Sequence, residues 1–257
     1  MSYSILMDVT KCTGCEKCVN ACIEENNLNK YRAEFARANA KEGLSADKFL
    51  SIKQIDKERY VRKSCMHCLE PSCVSACLVG GLEKLETGQV IYHEDKCIGC
   101  RYCMLSCPFN IPRYEWDEPV PYVQKCQMCY DNLRRGELPA CVKACPNNAI
   151  KFGDREELLR IAHQTIRNNS SKYINHIWGE KELGGTSVIY ISDVDLTGES
   201  WPARAGFTIP ELTEPLIEKT PIIGLGVGTA LIGLNWIIRR RNELSGNNDS
   251  EENPNAK

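Results

Sequence analysis

The sequence predicts an α+β fold in which a cysteine-rich region precedes one apolar helix near the C-terminus. All sixteen cysteines of the 257 residues lie at or before Cys145, in four sets of four. Short stretches between and after these sets have the patterns of helices and strands. From Pro221 to Ile238 the sequence contains no charged residue. The net charge of −2 gives no indication of a nucleic-acid partner.

The cysteine spacing indicates metal binding rather than a disulfide framework, because disulfide-bonded cysteines are less tightly grouped. The first and third sets have the spacing C-x2-C-x2-C-x3-C, while the second and fourth widen one gap and keep the C-x2-C start and C-x3-C end. The four sets are Cys12, Cys15, Cys18 and Cys22; Cys65, Cys68, Cys73 and Cys77; Cys97, Cys100, Cys103 and Cys107; and Cys126, Cys129, Cys141 and Cys145.

Iron–sulfur clusters explain this spacing better than structural zinc does. Zinc sites join two separated cysteine pairs and have no use for a third cysteine at the same short interval. Two such triplets therefore favour four 4Fe–4S clusters, one for each set of four thiolates. A c-type haem is excluded because no C-x2-C pair is followed by histidine. His67, inside the second set, is interpreted as a neighbour that tunes a cluster rather than as a ligand.

The order of the motifs predicts how the ligands are shared. In two-cluster ferredoxins the fourth cysteine of one motif binds the cluster of the other motif. If motifs two and three form one ferredoxin-like unit, motifs one and four form the second. The predicted ligand sets are then Cys12, Cys15, Cys18 and Cys145; Cys126, Cys129, Cys141 and Cys22; Cys65, Cys68, Cys73 and Cys107; and Cys97, Cys100, Cys103 and Cys77.

This pairing gives a domain organisation for the whole chain. Residues 1–153 form the cluster region, with 1–22 and 123–153 in one unit, 60–122 in the other, and 23–59 as an insertion. Residues 154–200 are predicted to pack on this region as a helix, capped by Asp154, followed by a strand. Four prolines between Trp201 and Pro221 predict an extended linker over 201–220. An anchor follows over 221–241, and the polar residues 242–257 are expected to be disordered.

The apolar segment is interpreted as a membrane-spanning helix, although a buried core helix is the alternative at this short length. Trp236 and the triplet Arg239, Arg240 and Arg241 have the character of a membrane interface. Gly224 and Gly228 form a small-xxx-small pair suited to helix packing. Because the positive flank is cytoplasmic in most membrane proteins, the cluster region is expected on the periplasmic side of the inner membrane.

The N-terminal stretch "MSYSILMDVTKC" has no signal-peptide pattern. We therefore expect export alongside a partner that carries the signal. The alternative is a cytoplasm-facing cluster region whose anchor departs from the charge rule.

The sequence resembles the iron–sulfur beta subunits of membrane-bound respiratory oxidoreductases. It is most similar to those of quinone-linked nickel–iron hydrogenases and periplasm-facing formate dehydrogenases. The matching stretches are "CMHCLEPSCVSAC", "CIGCRYCMLSCPFNIPRYEW", "LPACVKACPNNAIKFGDREELL" and "GEKELGGTSVIYISDV", together with the terminal anchor. The resemblance implies two pseudosymmetric ferredoxin-like units, one transmembrane helix, a catalytic subunit containing molybdenum or tungsten pterin or nickel–iron, and an integral membrane subunit of cytochrome b or quinone-binding type.

The predicted function is electron relay through the clusters, between the catalytic subunit and the quinone-linked membrane subunit. No general acid, base or nucleophile is expected, since electron transfer requires none, and no catalytic set of residues appears in the sequence. Two other functions remain open. A membrane-anchored stand-alone ferredoxin would exchange electrons with diffusing partners, and a zinc-stabilised scaffold would be colourless.

Overall fold

The computed structural model describes residues 2–28, 43–116, 118–119, 121–198, 201 and 208–249. The chain divides into two compact units, Met1–Pro210 and Glu211–Lys257. Several expectations fall partly outside the described residues: 29–42 of the predicted insertion, 202–207 of the predicted linker, and 250–257 of the predicted tail. The first unit mixes helices and strands, as the sequence predicts.

The strands are short, and they form one three-stranded sheet and three two-stranded ones. They are β1 Tyr3–Asp8, β2 Ser51–Asp56, β3 Arg59–Lys63, β4 Leu82–Lys84, β5 Val90–Tyr92, β6 Arg113–Tyr114, β7 Val123–Gln124, β8 Ile150–Asp154 and β9 Val188–Ile191. The pairs β2–β3, β4–β5 and β6–β7 are antiparallel. Strand β9 confirms the strand predicted after the paired glycines at 184 and 185.

Strand β1 is the centre of the three-stranded sheet, between antiparallel β8 and parallel β9. Side chains alternate between the two faces of a strand, and both faces of β1 are buried. Ile5 and Met7 belong to the core that contains the first cysteines, whereas Leu6 faces a second core. The strand therefore joins the cysteine-rich region to the segment that follows it.

The helices of the first unit are short near the cysteines and longer after them. They are α1 Lys17–Glu25, α2 Ser72–Ser75, α3 Tyr102–Ser106, α4 Tyr130–Arg134, α5 Ala140–Lys143 and α6 Arg155–Asn168. Short 3-10 turns at Val9–Lys11 and Glu94–Lys96 lead into the first and third cysteine sets.

Helix α6 confirms the predicted cap and apolar face. Asp154 accepts hydrogen bonds from the backbone N–H groups of Glu156 at 3.0 Å and Glu157 at 3.3 Å. These N–H groups lack partners within the helix, so the carboxylate stabilises its first turn. The apolar face packs beside Leu6 in the second core, through Leu158, Leu159, Ala162 and Ile166, with Ile161 partly buried.

Helix α7 spans Ile209–Asp249 and corrects two expectations. The extended linker predicted over 201–220 is wrong from residue 209 onward, and the disordered tail predicted over 242–257 is wrong up to residue 249. Pro210 lies in the first turn, where a helix needs no N–H donor, and the glutamates, leucines and lysine that follow are good helix formers. Beyond the apolar segment, Arg240 forms an ion pair with Glu243 at 3.4 Å, one turn along the helix.

Candidate metal centres

The four cysteine sets share one backbone feature. The residue immediately before the second cysteine has a positive φ in every set: 69° at Gly14, 48° at His67, 69° at Gly99 and 58° at Met128. This left-handed conformation turns the chain between the first two cysteines of each set. The sequence indicates this turn at the two glycines, whereas His67 and Met128 give no such signal because they are not glycine.

Glycine is required at position 14 for space as well as for conformation. A Cβ atom there would lie 2.7 Å from the aromatic ring of Tyr60. At Gly99 a Cβ atom would lie 3.0 Å from the Tyr114 hydroxyl. The first loop is therefore packed directly against an aromatic side chain of strand β3.

A cavity beside the first loop is lined by one complete predicted ligand set. Cys12, Cys15, Cys18 and Cys145 all border it. Burial is the main cause that raises the pKa of the Cys12 thiol, and Cys145 and Cys15 raise it further. Residues more than a hundred positions apart in the sequence thus face one another across a single cavity.

A second cavity is lined by another predicted set. Cys22, Cys126, Cys129 and Cys141 border it. Burial raises the pKa of Cys22, and Cys126, Cys141 and Cys129 add to the effect. Cys22 therefore groups with the fourth motif rather than with its own, as the crossed arrangement requires.

The thiols of the second and third motifs exchange partners in the same way. Burial raises the pKa of Cys68, and Cys65, Cys107 and Cys73 raise it further.

Burial likewise raises the pKa of Cys103 to about 11, and Cys77 is the first thiol that adds to this shift, before Cys100 and Cys97. The neighbours of Cys68 and Cys103 therefore match the third and fourth predicted ligand sets.

Backbone N–H groups point at several of these sulfurs. The N–H of Met128 donates to Sγ of Cys126 at 3.3 Å, and the N–H of Gly81 donates to Sγ of Cys77 at 3.2 Å. Hydrogen bonds of this kind stabilise thiolates bound to iron and raise the potential of a cluster.

The chemistry of the donor sets fits multi-iron clusters better than single ions. Within the described ranges, no three His, Cys, Asp or Glu side chains converge closely enough for one metal ion. Zinc ligated by four thiolates at about 2.3 Å needs such convergence. In a 4Fe–4S cluster each thiolate binds a different iron, so the sulfurs lie further apart around a cavity.

Two buried cations accompany the thiols, and neither was anticipated from the sequence. Arg62 and Lys125 are 1% and 3% exposed. Lys125 donates to the carbonyl oxygens of Val90 at 2.5 Å and Cys126 at 3.1 Å. Nothing in the sequence indicates that these residues are buried, because a lysine or arginine next to a cysteine motif is usually solvated.

His67 is buried and neutral. Burial, followed by the nearby cations Lys125, Lys84 and Arg62, holds its pKa well below 6.5. Its Nδ1 accepts a hydrogen bond from the Val90 N–H at 2.9 Å, so the ring proton lies on Nε2. The structure brings His67 next to the second cysteine set; its predicted tuning of a cluster stays a prediction.

The second unit contains the six residues predicted for the anchor. Within the described residues, one helical segment, Lys219–Ser245, is long and apolar enough to cross a membrane. Its apolar side chains are exposed, including Trp236 at 68%. Around the glycines of the small-xxx-small pair, a Cβ atom would meet no neighbour within 4 Å. All six lie on helix α7: Gly224, Gly228, Trp236, Arg239, Arg240 and Arg241.

Comparison with known proteins agrees with this description. Residues 57–155 match the 4Fe–4S dicluster domain family. The chain is 38% identical to a protein of Nitratidesulfovibrio vulgaris, covering 94% of this chain and 68% of the relative. It is 32% identical to the hydrogenase-2 operon protein HybA of Escherichia coli O157:H7, covering 96% of this chain and 87% of the relative. It is 36% identical to the iron–sulfur subunit of the nitrate-inducible formate dehydrogenase of Escherichia coli K12, covering 72% of this chain and 66% of the relative.

The shared loops, the grouped thiols and the domain match define a protein of the 4Fe–4S ferredoxin class. More specifically, the chain belongs to the family of iron–sulfur beta subunits found with hydrogenases and formate dehydrogenases. The resemblance of its motifs to that family is thereby confirmed.

Proposed function

We propose that the protein relays electrons through four 4Fe–4S clusters between a catalytic subunit and a quinone-linked membrane subunit. The observation that carries this proposal is that two separate cavities are each lined by one predicted ligand set, while the thiols that neighbour Cys68 and Cys103 match the other two sets. Each set would hold one cluster, and each cluster, when bound, supplies one-electron chemistry. The chain's own contribution is to fix the distances between clusters and to set their surroundings.

The contacts between sets support an arrangement in series. Arg62 is close enough to affect both Cys18 and Cys22, which belong to the first and second sets. Cys65 of the third set contributes to the raised pKa of Cys126 in the second, after burial and against the opposing effect of Arg62. The order of clusters is then that of the predicted sets, with the junction between the two ferredoxin-like units at Cys126 and Cys65.

The exposed thiols support entry and exit at the two ends of this series. Cys15 belongs to the first set and Cys100 to the last, and both are exposed, whereas every cysteine of the two central sets is buried or partly buried. Electrons can therefore reach the terminal clusters from partner proteins, while the central clusters are shielded from solvent.

Exposed apolar side chains near the cysteines of the last set support a bound partner rather than brief exchange with diffusing ones. Large apolar side chains close to Cys77, Cys97 and Cys103 in the sequence are exposed, notably Leu105 at 84% and Leu78 at 71%. Exposed apolar side chains that a partner covers are typical of a subunit interface. This exposure favours a permanent complex over the stand-alone ferredoxin.

We further propose that helix α7 anchors the chain in the inner membrane. The three arginines after the apolar segment would lie on the cytoplasmic side, and the cluster region on the periplasmic side. The catalytic partner would be of the formate dehydrogenase or nickel–iron hydrogenase type, as the relatives from hydrogenase and formate dehydrogenase systems suggest.

Elemental analysis of the intact detergent-solubilised complex tests the proposal. Iron together with molybdenum or tungsten is the result expected for the formate type, and iron together with nickel is the result expected for the hydrogenase type. If the chain purifies without any stoichiometric partner, the stand-alone ferredoxin is the better account. Zinc in place of iron would contradict both.

A further inference from the structure

Arg62 is a buried cation whose side chain lacks an ordinary partner. It lies on strand β3 at 1% exposure and lines the cavity bordered by Cys22, Cys126, Cys129 and Cys141. Its Nη2 lies 3.9 Å from Sγ of Cys141, while Nε and Nη1 have no hydrogen-bond partner among the described residues. Burying an unpaired guanidinium costs free energy unless an anionic group faces it.

The described carboxylates do not balance this charge. The two buried ones are committed elsewhere. Asp8 accepts from Thr10 and Tyr173, and Glu182 accepts from the Gly179 N–H and contacts His176. The groups that face Arg62 are the thiols of the cavity, Cys18 of the neighbouring set and the hydroxyl of Tyr190, whose proton is donated to the Arg62 carbonyl oxygen at 2.8 Å.

We propose that Arg62 is a positioning residue that donates to the cluster of Cys22, Cys126, Cys129 and Cys141 and raises its reduction potential. This inference rests on the proposed function, because it needs a cluster in that cavity. A cluster held by these four thiolates would gain one negative charge on accepting one electron from a neighbouring cluster, which would be oxidised. Because the Arg62 guanidinium lies beside the sulfur of Cys141, it would stabilise the reduced form more than the oxidised form and shift the equilibrium towards reduction at this position.

The strand that holds Arg62 provides a matched control. Arg59 lies three residues earlier on β3, and its guanidinium forms an ion pair with Asp193 at 2.6 Å. Removing either arginine deletes one positive charge, but only Arg62 lines the cavity. The comparison therefore separates a local effect on the cluster from the loss of a cation on this strand.

The test is a redox titration of the intact complex followed by electron paramagnetic resonance. The signal of this cluster is identified as the one that disappears in Cys129→Ser. Arg62→Met should lower its reduction equilibrium constant at least tenfold, equal to a midpoint potential lower by about 59 mV. Arg62→Lys should keep most of the wild-type potential, and Arg59→Met should leave it unchanged. An unchanged potential in fully loaded Arg62→Met would overturn the assignment.

If Arg62→Met fails to assemble this cluster, Arg62→Gln gives the answer, because its amide keeps N–H donors without the charge. A lower potential in Arg62→Gln, or assembly of the cluster in Arg62→Lys alone, supports the role of the charge. Loss of the cluster in Arg62→Met, Arg62→Gln and Arg62→Lys overturns the assignment and shows that Arg62 is needed for packing. A wild-type complex that contains zinc or no cluster signal contradicts the proposed function itself, which distinguishes the two failures.

Discussion

Individual residues determine how tightly each cysteine loop can turn, and position 14 is the most constrained of them. The loop needs a left-handed backbone there, and the ring of Tyr60 fills the space that a side chain would occupy. Gly136 provides a comparison, since its φ is 75° but nothing lies within 4 Å of an added Cβ atom. Conformation and crowding can thus be separated by experiment.

Gly14→Ala should lower the free energy of unfolding by about 2–4 kcal/mol, because backbone strain and a steric clash add together. Gly136→Ala should cost only about 1 kcal/mol, from the backbone alone. Thermal unfolding followed by the visible absorbance of the clusters measures both. Equal losses in the two variants would mean that the contact with Tyr60 is unimportant.

The crossed arrangement of ligands predicts which cluster a single cysteine serves. Cys145→Ser should disturb the cluster of Cys12, Cys15 and Cys18, because Cys145 borders their cavity. The matched variant Cys141→Ser, from the same motif, should disturb the cluster of the other cavity. Iron content and the paramagnetic signals of both variants give the measurement. Loss of the fourth-motif cluster alone in Cys145→Ser would refute the pairing.

At the residue scale the sequence predicts the ligands better than their surroundings. The spacing, together with the crossed-ligand rule and the pairing of motifs two and three, predicts ligand sets that the neighbours of Cys12, Cys22, Cys68 and Cys103 match. Arg62 could not be predicted as a cavity residue, because its burial arises from the way β3 packs between two cysteine sets. Such long-range packing leaves no local pattern in the sequence.

Among the secondary-structure elements, strand β1 and helix α6 connect the cluster region to the segment after it. Leu6 of β1 and Leu158 of α6 pack in one core, while Ile5 and Met7 face the cysteines. A weaker cap would therefore destabilise the core that α6 shares with β1, and β1 also packs against the first cysteines.

Asp154→Ala should lower the free energy of unfolding by about 0.5–2 kcal/mol, because two N–H groups of α6 lose their acceptor. Asp154→Asn is the matched control and should be nearly neutral, since an amide oxygen caps equally well. Thermal unfolding of the purified protein measures the difference. A loss in the asparagine variant equal to that in the alanine variant would show that the negative charge matters more than the cap.

The elements with a strong periodic pattern can be predicted from the sequence, whereas the proline-containing start of α7 cannot. Helix α6 and strand β9 lie where the sequence places them. The prolines from Trp201 to Pro221 predict an extended linker, yet α7 includes Pro210, Pro215 and Pro221. A proline removes one N–H donor, and the many remaining hydrogen bonds of a long helix can outweigh that loss.

On the scale of the whole molecule, the chain comprises a cluster-bearing unit and a helical unit. The orientation proposed for them depends on charge alone. The chain contains sixteen cysteines of its own, so labelling of the unsubstituted chain gives the background, and label above that background reports the side of the membrane of a cysteine introduced after Cys145. Ser170 in the first unit and Ser245 near the end of α7 are both exposed and suit this purpose.

In intact spheroplasts, a membrane-impermeant thiol reagent should label Ser170→Cys but not Ser245→Cys. The reason is that the arginine triplet holds the end of α7 on the cytoplasmic side. After permeabilisation both variants should be labelled, which controls for access to the thiol. The reverse pattern, with only Ser245→Cys labelled in intact spheroplasts, would place the cluster region in the cytoplasm.

The central claim is that the sixteen cysteines bind iron–sulfur clusters which pass electrons in series. Iron quantification combined with electron paramagnetic resonance of the anaerobically purified, reduced complex tests it most directly. We expect about sixteen irons for each copy of this chain and interacting signals from reduced 4Fe–4S clusters. Zinc in place of iron, with no paramagnetic signal on reduction, would contradict the claim.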